Sequence, residues 1–365
     1  MNSSQLKAAL TLVILAAAAA SAQSPRTQNV IFVMTDGLRW QEVFHGADST
    51  LMTKENGSVS DVPALRQTYW RDTETARRQA LMPFLWSVVA KNGQVFGNRS
   101  AGSSAEVTNG KNFSYPGYSE TLCGFPDDRI DSNDKKPNQN VTVMEWLHSK
   151  TAFRGKVAAF AAWDVFPFIF NRERAGFPVV AGWEPYPFMP MSPRMEAVNL
   201  MLTESPRVWS DEVFDVFPFQ MALEYLKAKK PRVLYLSLGE TDDWAHDRNY
   251  RLYLDAAHRV DAYLRILWET VQSMPGYRDK ATLIVSPDHG RGDTAANWKS
   301  HGKEVLESKD IWMAFLGPDT KPLGERTHVP IVRQNQIAAT LAALLGEDYP
   351  AAQPKAGKPI RDVLP

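Results

Sequence analysis

The chain has 365 residues, 44% of them hydrophobic, and its 41 lysines and arginines balance its 41 aspartates and glutamates. This composition excludes an intrinsically disordered chain, and the lack of a basic excess argues against a nucleic-acid polymer as partner. A single cysteine, Cys123, cannot form an internal disulfide, so stability has to come from packing.

The first 22 residues have the pattern of a secretory signal peptide. Lys7 precedes an apolar run at residues 8–20, and Ala20-Ser21-Ala22 offers the small residues at which signal peptidase cleaves. The run has 13 residues, fewer than the roughly 20 that a membrane-spanning helix needs. We therefore expect cleavage near Ala22, a mature protein without a membrane anchor, and a periplasmic or secreted location.

Five short apolar segments rich in β-branched residues follow along the mature chain. They lie at residues 29–34, 156–162, 233–238, 281–286 and 312–316. Because they are apolar on both faces, they are typical of central strands covered by helices on each side. Residues 249–274 and 336–345 predict helices, the second ending at Gly346. The pattern predicts an α/β fold with a mostly parallel central sheet and helices on both faces.

Residues 165–215 interrupt this alternation. They are dense in proline and aromatic residues, as in Phe166-Pro167-Phe168, a composition that predicts neither a regular helix nor a regular strand. We expect this insertion to lie over the edge of the sheet as a cap. It either shapes the substrate site or is an ordinary packed insertion.

Acidic residues and histidines follow three of the predicted strands. Asp36 follows the first, Asp242 and His246 come shortly after the third, and Asp288-His289 follows the fourth. In an open α/β sheet, ligands bind beyond the carboxyl ends of the strands, so these groups should converge on one crevice. Carboxylates packed together would take up protons, whereas divalent cations would keep them ionised. Mixed Asp and His ligands suit zinc or a similar transition metal better than calcium or magnesium.

In this order, the motifs resemble those of the alkaline phosphatase superfamily, which includes alkaline phosphatases, nucleotide pyrophosphatase/phosphodiesterases and sulfatases. The resemblance extends from residue 29 to about residue 345. It implies an alkaline phosphatase-like catalytic domain at residues 26–350, followed by a C-terminal tail at residues 351–365. The implied cofactors are two Zn²⁺ ions, or other divalent transition metals. The implied ligands are Asp36, Asp288 and His289 for one ion, and Asp242, His246 and His301 for the other.

The resemblance also implies that Ser114 is the nucleophile. In the family, the nucleophile is followed by x-Pro and begins an eleven-residue stretch ending in Gly, which is the spacing from Ser114 to Gly124. Asn133 lies about where the phosphodiesterase branch places an Asn that hydrogen-bonds a phosphoryl oxygen, although Asn is also a common turn residue. From the residues alone, three more hydroxyls compete with Ser114, namely Thr108, Ser119 and Thr121.

The residues alone do not decide two of the ligand positions or the residue that would bind the phosphate group. His328 competes with His301 as the late histidine ligand, and Asp243 competes with Asp242. Arg172 and Arg174 are candidates for a phosphate clamp, although solvated side chains are the simpler interpretation.

The resulting hypothesis is a hydrolase of phosphate monoesters or diesters that forms a phosphoseryl intermediate. A sulfatase would carry Arg four residues after the nucleophile, where this chain has Tyr118, so a sulfuric-ester hydrolase is the less favoured alternative. The non-enzymatic alternative is an exported protein that binds metal or phosphate without turnover. The expected partner is a small-molecule phosphate ester, and the sequence leaves the ester class and the oligomeric state open.

Overall fold

A computed structural model of the protein describes residues 26–365. The predicted signal peptide at residues 1–22 lies outside the described residues. Within residues 26–365, no helix combines the length and the apolar character needed to cross a bilayer.

Eleven strands occur within the described residues: β1 (Asn29–Thr35), β2 (Gln94–Phe96), β3 (Ala105–Glu106), β4 (Val157–Ala161), β5 (Val179–Ala181), β6 (Val233–Leu238), β7 (Ala281–Pro287), β8 (Asp310–Ile311), β9 (Met313–Leu316), β10 (Gly324–Glu325) and β11 (Val332–Arg333). Eight of them form the main sheet, in the order β10-β2-β9-β7-β1-β6-β4-β5. The pairs from β7 through β5 are parallel, and β9 runs antiparallel to both of its neighbours. A second, three-stranded sheet has the order β11-β3-β8.

The same part of the chain contains fifteen α-helices: α1 (Trp40–His45), α2 (Lys54–Gly57), α3 (Val62–Tyr69), α4 (Glu74–Leu81), α5 (Ala90–Asn92), α6 (Ser114–Cys123), α7 (Val143–Ser149), α8 (Phe166–Ile169), α9 (Arg172–Ala175), α10 (Pro193–Glu204), α11 (Val216–Lys229), α12 (Glu240–His246), α13 (Tyr250–Ser273), α14 (Ile337–Leu344) and α15 (Tyr349–Ala352). A π-helical turn spans Leu85–Val89. Short 3-10 turns occur at Arg99–Ala101, Leu306–Lys309, Gln334–Gln336 and Arg361–Val363.

Two hydrophobic cores cover the two faces of the main sheet. Side chains alternate along a strand, so in β1 Ile31 and Val33 belong to one core, with α11 and α13, while Phe32 belongs to the other, with α6, α7 and α14. The five predicted strands correspond to β1, β4, β6, β7 and β9, and the two predicted helices to α13 and α14. The predicted α/β fold with a mostly parallel sheet is therefore confirmed.

The prediction that residues 165–215 contain no regular helix or strand is wrong. This segment includes α8, α9 and the twelve-residue α10, and its strand β5 is itself the edge of the main sheet. Proline is tolerated in the first turn of a helix, where Pro167 and Pro193 lie. Phe170 packs on Tyr235 of β6, with ring centroids 5.2 Å apart. Much of the aromatic content therefore fills the core.

The segment at residues 351–365 also packs against the domain. Ile360 and Val363 are buried in the core that contains α14. The backbone N–H of Ile360 donates to Thr340 Oγ1 of that helix at 2.9 Å.

Candidate active site

Three neighbouring strands end at the same level of the sheet. Thr35 of β1 pairs with Leu238 of β6 on one side and with Pro287 of β7 on the other. The residues that follow these strands, including Asp36 and Asp288, therefore project from one edge. Helix α12 begins just beyond β6 and carries Asp242 and His246 to the same place.

The first ligand group consists of Asp36, Asp288 and His289, each of which offers an atom within 4.8 Å of the others. His289 Nε2 lies 3.2 Å from Asp36 Oδ1 and 3.4 Å from Asp288 Oδ2. Those two carboxylate oxygens are buried and accept no hydrogen bond within the described residues. Unpartnered buried carboxylates are costly, and a divalent cation between them would remove that cost.

The protonation of this group without a cation follows from its burial. Burial, together with nearby carboxylates, raises the pKa of Asp36 and of Asp288 well above the ordinary value. Burial lowers the pKa of His289 to about 4, so its imidazole is neutral and can act as a ligand. A bound cation would displace the carboxyl protons, because it favours the ionised form.

The second ligand group consists of Asp242, His246 and His301. His246 Nε2 lies 3.0 Å from Asp242 Oδ2 and 2.9 Å from His301 Nε2. The side chain of His246 is 48% exposed, whereas the first group is buried, so the crevice opens to solvent on this side. The rings of His289 and His301 stack with centroids 4.0 Å apart, and the two groups therefore adjoin.

Ser114 is the first residue of α6 and lies beside the first group. Its Oγ is 3.4 Å from His289 Nε2. A Cβ on Gly117 would overlap the carbonyl oxygen of Asp288, so glycine there lets α6 pack directly against the end of β7. Asn133 is held at the same helix end, because its Oδ1 accepts the backbone N–H of Tyr115 at 3.0 Å.

The competing hydroxyls are used in hydrogen bonds elsewhere. Thr108 Oγ1 donates to Glu120 at 2.7 Å, and Thr121 Oγ1 donates to the carbonyl of Gly117 at 3.0 Å. Ser119 Oγ accepts from Asn138 Nδ2 at 3.1 Å. Of the four hydroxyls considered, the structure brings Ser114 to the ligand groups.

The competing ligands and the clamp candidates do not join the two groups. His328 lies beside Ala101, whose carbonyl accepts its backbone N–H at 3.1 Å. Asp243 follows Asp242, and burial, with the charge of Asp242, raises its pKa to about 8. Arg172 and Arg174 pair with glutamates away from the site, namely Glu184 and Glu145, each at 2.7 Å.

Two buried residues in contact with the ligands were not predicted as site residues. Tyr118 OH donates to Asp36 Oδ2 at 2.9 Å and accepts a hydrogen bond from Ser237 Oγ at 3.1 Å. Arg291 Nη2 donates to Asp242 Oδ1. The sequence signal for Tyr118 was its spacing of four residues from Ser114, and for Arg291 it was its position directly after Asp288-His289-Gly290.

Glu120, on the same helix as Ser114, organises the loop that precedes the helix. Its carboxylate accepts hydrogen bonds from Thr108 N at 3.0 Å and from Asn109 Nδ2 at 2.9 Å. Asn109 Oδ1 in turn accepts from Asn112 N at 3.0 Å. The carbonyl of Asn112 lies 3.3 Å from His301 Nδ1, an arrangement that leaves Nε2 of His301 for a cation.

We expect Glu120→Ala to lower the free energy of unfolding by about 1–3 kcal/mol, because it leaves the partly buried donors of Thr108 and Asn109 without their acceptor. Chemical denaturation measures this change. Glu173→Ala, which removes an exposed glutamate, is the control and should alter stability by less than about 0.5 kcal/mol. Equal effects of the two substitutions would contradict the role given to Glu120.

Comparisons with known proteins agree with this architecture. The model of a family described as type I phosphodiesterase / nucleotide pyrophosphatase matches residues 48–343. No curated protein matches the chain.

Several solved structures share the fold. Alkaline phosphatase PafA is 12% identical with a TM-score of 0.59, and the match covers 94% of this chain and 99% of that chain. A phosphonate monoester hydrolase from Silicibacter pomeroyi is 12% identical with a TM-score of 0.55, with coverages of 92% and 76%. An alkaline phosphatase superfamily protein from Vibrio parahaemolyticus is 16% identical with a TM-score of 0.52, with coverages of 89% and 68%. At these identities the similarity concerns the fold.

Proposed function

The chain belongs to the type I phosphodiesterase / nucleotide pyrophosphatase family, and from this premise we propose that it hydrolyses a phosphate ester with Ser114 as nucleophile and two Zn²⁺ ions as cofactors. Membership of the family makes it a phosphoric ester hydrolase. The proposal of Ser114 as nucleophile beside two ions rests on the position of Ser114 Oγ. This atom lies 3.4 Å from His289 Nε2, where the two ligand groups adjoin.

The donor chemistry of the two groups supports cations. The unpartnered oxygens of Asp36 and Asp288 point to a positive charge between them. The Nε2 atoms of His246 and His301 lie 2.9 Å apart, so both could bind the same ion. Three Asp and three His side chains form a set that zinc accepts readily. Divalent cations bound there would act as Lewis acids, stabilising negative charge on the phosphoryl group and lowering the pKa of bound hydroxyl groups.

The residues of the chain supply the nucleophile and hold it in position. Ser114 Oγ gives up its proton to solvent and forms a bond to phosphorus while the bond from phosphorus to the leaving oxygen breaks, which gives a phosphoseryl intermediate. The leaving oxygen takes up a proton from solvent. Water then cleaves the bond between phosphorus and Ser114 Oγ and releases the phosphate product. Ser114 stands at the positive end of α6, which favours negative charge on the attacking oxygen.

Asn133 is suited to bind a phosphoryl oxygen. Its Oδ1 is occupied by the backbone N–H of Tyr115, and this fixes the amide at the start of α6. Its Nδ2 donates to no acceptor within residues 26–365, so it is available to the substrate. The role that the family resemblance implies for Asn133 therefore has a geometric basis.

An assay of the purified protein with aryl phosphate monoesters, aryl phosphate diesters and aryl sulfates tests the proposed reaction. We expect hydrolysis of phosphate esters and, because Tyr118 replaces the sulfatase Arg, little hydrolysis of the sulfate. Turnover of the sulfate alone would favour the sulfuric-ester alternative. Failure to turn over any ester despite bound cations would favour an exported binding protein.

Tyr118→Phe is expected to weaken cation binding at the first group by about 10–100-fold, because Asp36 Oδ2 loses the hydrogen bond that orients it. Titration of the cation-free protein with Zn²⁺ measures the change. Tyr115→Phe is the matched control on the same helix, since its hydroxyl donates to the carbonyl of Lys136 instead. If both variants bind Zn²⁺ like the wild type, Tyr118 does not orient Asp36.

Export is part of the proposal and rests on residues 1–22. Sequencing the amino terminus of the protein recovered from the periplasm or medium tests it, and a start near Gln23 is expected. A mature protein that retains the apolar run at residues 8–20 would contradict cleavage.

A further inference from the structure

Arg291 joins the two elements that carry the second ligand group. Its side chain is fully buried. Its Nη2 donates to Asp242 Oδ1 and, at 3.1 Å, to the carbonyl of Asp242, while its Nη1 donates to the carbonyl of Lys299 at 2.5 Å. Asp242 lies on α12, and Lys299 is two residues before His301. One guanidinium therefore fixes both elements.

The backbone leaves space for this guanidinium. Gly37, directly after Asp36, has φ of +56°, a conformation that favours glycine. A Cβ there would lie 2.8 Å from Arg291 Nε and 2.8 Å from Asp242 Oδ1. The contact between Arg291 and Asp242 thus depends on the residue that follows a ligand of the first group.

The two ligand groups differ in formal charge. The first has two carboxylates and one neutral imidazole, which gives −2 when both carboxylates are ionised. The second has one carboxylate and two imidazoles, and Arg291 cancels the single negative charge.

The guanidinium also limits how Asp242 can bind a cation. It occupies Oδ1, so the oxygen left for coordination is Oδ2, which lies 3.0 Å from His246 Nε2. A divalent cation bound at Oδ2 would lie close to a fixed positive charge in a partly buried site, where screening by water is weak.

We propose that Arg291 makes the second cation site the weaker of the two, by holding one oxygen of Asp242 and cancelling its charge. Arg291 is a positioning residue, since its buried side chain acts through Asp242. The inference rests on the proposed cation sites. Its consequence is an enzyme that keeps its first cation and exchanges the second.

Titration of the cation-free protein with Zn²⁺ by calorimetry tests the proposal without measuring turnover. The wild type should bind two ions in separate steps, and the first ion should bind about 10–100-fold more tightly than the second. In Arg291→Gln the second affinity should rise by about tenfold or more while the first is unchanged. Arg291→Lys keeps the charge and should retain the weak second site.

Ion retention after dialysis is measured as well, because it does not require Arg291→Gln to fold. After dialysis against a weak chelator, the wild type should retain one Zn²⁺ ion per chain. His301→Ala should retain that ion and Asp288→Asn should lose it, and the reverse pattern would overturn the proposal. Two equally tight sites in the wild type, or a second site that Arg291→Gln leaves unchanged or weakens, would overturn this inference alone. Absence of any bound Zn²⁺ would overturn the cation sites and this inference together.

Discussion

Replacement of Ser114 by alanine is expected to lower kcat/KM for phosphate esters by about 10³-fold or more while the protein keeps its fold and its cations. The physical reason is the loss of the hydroxyl proposed to attack phosphorus, whose Oγ lies 3.4 Å from His289 Nε2. Steady-state assays with an aryl phosphate ester measure the effect. Cation content and thermal denaturation show whether the variant is otherwise intact.

Ser119→Ala is the matched control for this prediction. Ser119 lies on the same helix and is buried, yet its hydroxyl contacts Asn138 instead of the ligand groups. We expect kcat/KM of this variant to stay within about threefold of the wild type. If the two variants hydrolyse the ester equally fast, Ser114 is not the nucleophile.

His301→Ala is expected to abolish cation binding at the second group and to lower kcat/KM by roughly 100-fold or more. In the proposed second site the imidazole of His301 is one of three ligands, and its Nε2 lies 2.9 Å from that of His246. Elemental analysis at saturating Zn²⁺ should find one fewer ion per chain than in the wild type.

His328→Ala is the control, because His328 is the histidine that competes with His301 in the sequence. Its backbone is held beside Ala101 and it belongs to neither ligand group. We expect an unchanged ion content and unchanged kinetics. Loss of an ion in His328→Ala but not in His301→Ala would reverse the assignment.

Much of the central architecture could be predicted because strands buried on both faces leave a continuous apolar signal. Segments such as 233–238 have no charged interruption, and β6 spans these same residues, Val233–Leu238. The convergence of Asp36 and Asp288 follows from a general property of parallel sheets, whose strands end at one edge. The register of β1 with β6 and β7 supplied what the sequence could not, the common level at which these strands end.

The contacts around the ligands could not be predicted, because they join residues that are far apart in the chain. Tyr118 and Asp36 are separated by 82 positions, and Arg291 and Asp242 by 49. The prediction that residues 165–215 contain no regular helix or strand was wrong for a different reason. The prolines there suggested irregular backbone, yet Pro167 and Pro193 lie in the first turns of helices, where proline breaks no hydrogen bond.

The choice of the nucleophile among the hydroxyls required tertiary structure as well as the sequence pattern. Thr108, Ser114 and Ser119 all carry a hydroxyl group in the same stretch of sequence. The spacing to Pro116 and Gly124 favoured Ser114 only because it resembles the nucleophile motif of the alkaline phosphatase superfamily. In the folded chain, Thr108 and Ser119 are committed to Glu120 and Asn138. The structure therefore supports Ser114 by its location beside the first ligand group.

Identification of the phosphorylated residue tests the central claim most directly. The enzyme is mixed with a phosphate ester, quenched in acid during turnover, digested and analysed by peptide mass spectrometry. We predict a phosphoryl group on Ser114, absent from Ser114→Ala. A phosphoryl group on Thr108, Ser119 or Thr121, or turnover at full rate by Ser114→Ala, would contradict this prediction.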